Sequence, residues 1–157
     1  MHTTPTYRCH LGAIGWDHVA WADVFYPEDL PPEWRLSYYN TGFECVYLPY
    51  ALWSKTPLET LAAWCEETLE RCCFLLEPPA AASSVDKERI AALGEKALLA
   101  APHAGPAIIW LEPGADLKQL AQTLQAQIAQ PPVYLVSVSG DYAQLDQVRT
   151  LLDVLGY

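Results

Sequence analysis

The sequence predicts an α/β protein of about five β-α units with a parallel sheet, and three observations carry that prediction. Apolar runs rich in β-branched and aromatic residues recur at 7–14, 45–48, 73–76, 107–111 and 133–138. A helical pattern separates each successive pair. The last two runs, Ala-Ile-Ile-Trp-Leu and Val-Tyr-Leu-Val-Ser-Val, are apolar at nearly every position instead of alternating, as parallel strands covered on both faces are.

Each helix can be delimited by its own chemistry. The first is expected to start at Pro31-Pro32, to bury Leu36 and Tyr39, and to stop at Asn40-Thr41-Gly42. Thr56-Pro57-Leu58-Glu59 reads as a capping box with proline at the first helical position. The stripe Leu58, Leu61, Ala62, Cys65, Leu69 and Cys72 follows, with Trp64 beside it. A linker at 78–84 ends in serines suited to an N-cap, and Ile90, Leu93, Ala97 and Leu98 mark a third helix. A fourth carries Leu117, Leu120, Ala121, Leu124 and Ile128 and is stopped by Pro131-Pro132. The fifth begins at Gly140-Asp141, carries Leu145, Val148, Leu152 and Leu155, and runs to the end of the chain.

A chain of 157 residues, 52% hydrophobic, suffices for one core, and residues 1–157 read as a single domain without internal repeats. Nine Lys plus Arg against nineteen Asp plus Glu leave a net charge of -10. That charge repels a phosphate backbone or an anionic membrane, and no basic run offsets it, so neither nucleic acid nor membrane is an expected partner. No segment approaches the ~20 consecutive apolar residues of a membrane span, and the amino-terminal residues lack the pattern of a secretory signal. A cytoplasmic location is expected. Five cysteines, Cys9, Cys45, Cys65, Cys72 and Cys73, have neither zinc-finger nor thioredoxin spacing and read as reduced core thiols. Cys9, His10 and His18, with His2, could make a metal site on paper. Neighbours on a strand point to opposite faces, so no metal and no cofactor is expected.

The stretch Leu11-Gly12-Ala13-Ile14-Gly15-Trp16, then Trp21, Phe25-Tyr26-Pro27, Leu30-Pro31, Leu36 and Tyr38-Tyr39, closely resembles the opening signature of domain of unknown function family 72. Weaker likeness continues through Phe43, Trp64, Thr68, Phe74 and Gly105-Pro106. The resemblance implies a TIM-type barrel shortened to its first five or so of eight β-α units. It also implies that the polar groups the family carries at strand ends are mostly lost. A family Val-Glu-Ile-Asn is here Val46-Tyr47-Leu48-Pro49, and a family lysine is matched by Glu77. Gln-Leu-Pro becomes Trp110-Leu111-Glu112, and Glu-Phe-Arg-His becomes Ser137-Val138-Ser139-Gly140.

Candidate chemistry is sparse. If Glu77 and Glu112 end neighbouring strands about 5 Å apart, the two carboxylates could share a proton or hold a divalent cation as a catalytic pair. Each is also followed by proline, and a solvated loop entry explains both equally well. Asp17 and His18 follow Trp16 at the end of the first strand, where a histidine could act as a base, although adjacent residues rarely face each other. Trp16, Tyr26 and Tyr47 belong to an aromatic crowd in the first third that could stack on a small-molecule ligand, with packing the simpler role. Ser137 and Ser139 lack the context of a nucleophile, and no phosphate-binding glycine loop is present.

A partial barrel leaves its inner face and two edges open. Either a homodimer covers them, with the early aromatics at the contact, or a flatter doubly wound sheet closes its own faces. The expected function is that of a non-catalytic or binding paralogue with a protein partner or small-molecule ligand. The competing reading is a hydrolase-like or metal-assisted enzyme using Glu77 and Glu112.

Overall fold

The computed structural model describes residues 9–102, 104–127 and 132–157. Six strands form one sheet: β1 (Cys9–Ile14), β2 (Cys45–Leu48), β3 (Cys73–Leu76), β4 (Ala97–Leu99), β5 (Ala107–Leu111) and β6 (Val133–Ser137). Every pairing is parallel and the order is β4-β3-β2-β1-β6-β5. The helices are α1 (Arg35–Gly42), α2 (Tyr50–Trp53), α3 (Leu58–Glu67), α4 (Ser84–Leu93), α5 (Leu117–Gln127) and α6 (Tyr142–Leu155), with short 3-10 turns at Val19–Trp21, Pro32–Trp34 and Gly94–Lys96.

The sheet is a curled half-barrel with two apolar faces. On the helix-covered face Cys9, Leu11, Ala13, Val46, Leu48, Phe74, Leu76, Val133 and Leu135 meet the buried sides of the helices. The opposite, concave face carries Cys45, Leu75, Tyr134 and Val136, edged by Ile14, Tyr47, Cys73, Leu98 and Ile108. Its curl is visible in one contact. The Tyr47 and Trp110 rings meet edge to face at 4.9 Å although β1 and β6 lie between their strands. Side by side on a flat sheet those strands would be ~14 Å apart, so the concave face must fold toward itself.

A hydroxyl is built into the β1–β2 ladder. Tyr39, fully buried on α1, donates to Cys45 O at 2.6 Å and accepts from Ala13 N at 2.9 Å. The phenol thus replaces a direct strand-to-strand bond. Gly12 is the residue that permits it, because a Cβ there would sit 1.8 Å from Cys45 O and 2.9 Å from the Tyr39 hydroxyl. Trp21 stacks parallel to Tyr39 at 6.0 Å and sends its Nε1 to Gly140 O at 2.6 Å, tying the segment after β1 to the turn before α6.

Several expectations require correction. The third predicted helix runs into residues that form β4: Gly94, at φ +64, ends α4, and Ala97–Leu99 pairs with β3. The run at 107–111 is therefore the fifth strand, and the run at 133–138 the sixth. The last two strands do not extend the sheet beyond β4. They lie across β1, where the closing strands of a full barrel would pair with the first, so the missing sector falls between β4 and β5. Only residues 100–106 span that gap. Gly105 N donates to Ala101 O at 2.8 Å, and a Cβ on Gly105 would lie 2.7 Å from three backbone atoms, so the crossing is tight. The capping box at Thr56 is absent: Thr56 Oγ1 donates back to Leu52 O at the end of α2, and Pro57 is itself the N-cap of α3. Leu58 and Leu69 are exposed rather than part of a buried stripe.

Other signals are realised. Ser83 caps α4 in a reciprocal box with Asp86, Asp141 caps α6, and α1 stops at Gly42. The expected starts of β1 at Tyr7, and the ends of α5 at Ile128 and Pro131, lie outside the described residues.

Candidate functional site

The carboxyl ends of the strands are where parallel α/β proteins place their sites. Glu77 follows β3, and its Oε1 accepts the Tyr50 N–H at 3.0 Å while its carbonyl accepts Trp53 Nε1 at 3.0 Å. The residue anchors both ends of α2. Glu112 follows β5, is exposed, and offers its carbonyl to Gln144 Nε2 at 2.7 Å. The two strands are not neighbours, since β2, β1 and β6 separate them. The strand adjacency on which a shared-proton pair was expected is therefore overturned. Its cause is the intervening β4 and the placement of β5 beyond β6.

The segment after β1 is likewise occupied by structural work. Trp16 is 8% exposed, packs edge to face on Trp64 at 4.7 Å, and accepts the Tyr26 hydroxyl on its carbonyl at 2.6 Å. Tyr26 is 5% exposed, and burial first, then the Asp17 charge, raises its phenol far above the usual range. Neither ring is open to a ligand, which corrects the expectation of stacking there. Asp17 is exposed and pairs with Arg35 at 3.1 Å. His18 is half-buried, stacked on Trp21 at 4.3 Å, with Nε2 3.2 Å from Gly15 O. Its ring also lies where a Cβ on Gly140 would be. Asp17 and His18 thus turn to different partners.

Tyr47 alone among the expected ligand contacts faces the concave mouth. It is half-buried, and burial followed by the Glu77 charge raises its phenol. Its companion there, Trp110, is 41% exposed, as is Val138 at 40%. Trp110 could have been singled out as a large aromatic on a strand, but nothing in the sequence says which face it takes. Ser137 Oγ accepts Gly140 N–H at 3.0 Å and is fully buried, so it holds the turn before α6.

At the amino ends of the strands lies a constellation that sequence reasoning missed. Glu44, 6% exposed, makes a bidentate pair with Arg149, whose Nη2 also reaches Gly42 O at 3.0 Å. A carboxylate between Phe43 and Cys45 demands a cation, yet 105 residues separate the partners. The pair borders a groove of about 350 Å³ with Phe25, Arg71 and Tyr142 on its walls. Cys9 and His10 do point to opposite faces: Cys9 lies in the helix-side core, and His10 stacks on Tyr134 at 4.9 Å. Burial, the largest influence, lowers the His10 pKa and favours a neutral ring. Among the described residues no three of His, Cys, Asp and Glu converge as metal ligands would. Among them too, no helix is long and apolar enough to cross a membrane.

Fold and strand ends together define an α/β protein on an all-parallel, curled half-barrel, a shortened relative of the TIM-type architecture. A family model described as Protein of unknown function DUF72 matches residues 10–152, and the chain belongs to that family. No curated protein and no solved structure matches it.

Proposed function

We propose that this chain is a non-catalytic, binding member of its family, whose ligand or protein partner is met at the mouth of the half-barrel by Tyr47 and Trp110. The observation that carries the reading is how the strand-end polar groups are employed. Glu77 holds the Tyr50 amide, Ser137 the Gly140 amide, and His18 lies against the Gly15 carbonyl. Groups committed to backbone in this way are poorly placed to exchange protons with a substrate. What the mouth offers instead is an edge-to-face aromatic pair with an exposed indole, a surface suited to flat or apolar ligands.

The test combines metal analysis with ligand titration. Purified protein should contain no stoichiometric metal by mass spectrometry. Tryptophan fluorescence should report binding from a panel of sugars and small aromatic compounds, lost in Trp110→Ala and kept in Glu112→Gln. Stoichiometric metal that disappears in Glu77→Gln or Glu112→Gln would overturn this reading in favour of the carboxylate-based enzyme.

A further inference from the structure

The two edges of the sheet are unlike. β4 has three residues, bounded by Lys96 on one side and Pro102 shortly after the other, a short strand of the kind that blunts an edge. β5 has five, Ala-Ile-Ile-Trp-Leu, with no charge and no proline; Ala107 and Trp110 are exposed, Ile108 and Ile109 half-buried and only Leu111 buried, whereas every residue of β6 beside it is buried. Natural edges of this length normally carry a lysine, a proline or a bulge to prevent pairing. β5 carries none of these.

The backbone on that edge can be assigned. Val138 N–H donates to Leu111 O at 3.1 Å, so Leu111 turns its peptide groups toward β6. By the strand's period of two, Ile109 and Ala107 do the same, and Ile108 and Trp110 turn N–H and C=O away from the sheet. Among the described residues β5 pairs with β6 alone.

Charge selects the occupant of this edge. Residues 97–140, which supply β4, β5, α5 and β6, contain Glu112, Asp116 and Lys118 as their only Asp, Glu, Lys or Arg. They account for -1 of the net charge of -10. Over the rest of the molecule a second copy meets strong like-charge repulsion, and along β5 it does not. A basic protein partner would be drawn to the acidic remainder instead.

We propose that β5 is the interface of a twofold homodimer, in which it pairs antiparallel with β5 of a second copy. With the axis at Ile109, Ile108 of each copy lies opposite Trp110 of the other, and each such pair exchanges both of its outward hydrogen bonds. The register thus uses peptide groups that find no partner among the described residues. It also moves the expected dimer contact to the fifth strand from the early aromatics, of which Trp16, Trp21, Tyr26, Tyr39 and Trp53 are buried within the chain. The proposal does not rest on ligand binding at the mouth, because its hydrogen bonds engage the Trp110 backbone, although the same register sets Ile108 of one copy beside the Trp110 side chain of the other.

Light scattering after gel filtration, across protein concentrations from about 1 to several hundred µM, should give twice the chain mass of 17.5 kDa over at least the upper part of that range. Ile108→Pro removes an outward N–H without touching the β6 ladder, and should give a monomer of unchanged circular dichroism. Ala107→Lys, at an exposed position, places a charge beside Leu111 of the other copy and should weaken the dimer at least tenfold even if the proline variant folds poorly. A wild-type monomer throughout that range, or a dimer that persists unchanged in Ala107→Lys, would overturn the proposal.

Discussion

The Tyr39 hydroxyl both donates and accepts within the β1–β2 ladder, and burial raises its pKa well above the usual phenol value. Removing that oxygen strands Ala13 N–H and Cys45 C=O in a site closed to water. Tyr39→Phe is therefore expected to cost about 2–3 kcal/mol in urea unfolding, with little change of volume to confuse the result. A loss below about 0.5 kcal/mol would mean the strands close the ladder directly. The sequence marks Gly12 and Tyr39 as part of the family signature, but the reason both residues are needed appears only when α1 is laid over β1. Glu44 and Arg149 make the same point from the other direction: each is legible as a charge, and neither is legible as a pair.

At the level of single elements, caps that depend only on neighbours in sequence are legible in it. The Ser83 and Asp86 box forms as its spacing predicts, and Ser83→Ala should lower stability by about 1 kcal/mol as measured by chemical denaturation. An unchanged midpoint would show that Asp86 alone caps α4. Thr56 shows the limit of such reading. The same motif grammar is present, but α2 ends at Trp53, three residues before it, and the hydroxyl donates back to Leu52 O at 2.8 Å instead of capping α3. The misreading of 97–99 has a related cause. Three apolar residues are too few for a period to separate strand from helix, and Gly94 is the one punctuation mark between α4 and β4.

Across the whole molecule, the buried thiols and phenols make folding sensitive to alkali. Burial pushes Cys9 to about 11 and Cys72 to about 12, and raises Tyr26, Tyr39 and Tyr134 above the ordinary phenol range. In each case the unfolded chain releases its proton at lower pH than the folded one, so the unfolded state binds fewer protons and gains as pH rises. The contribution is complete below the unfolded values near 8.5 for thiol and 10 for phenol. It is lost progressively as pH climbs through the folded values. The melting temperature should fall steadily above pH 9, and the initial part of that fall, between pH 9 and 10, should be shallower in a Cys9→Ala, Cys72→Ala variant. An identical slope in the variant would assign the alkaline loss to groups other than these thiols.

By itself the sequence determined the class of the molecule: parallel strands separated by helices, an acidic balance of charge, membership in the DUF72 family, and the caps of α4 and α6. These are consequences of periodicity, composition and contacts within a few residues, which a linear chain displays openly. Tertiary structure decided which strands are neighbours, and with that removed the strand adjacency expected for Glu77 and Glu112. An apolar run such as 107–111 records that it is to be covered, but not by what or beside which partner. The short crossing at 100–106 carries β5 past the gap, β6 returns to pair with β1, and two carboxylates that looked adjacent in strand order end with three strands between them.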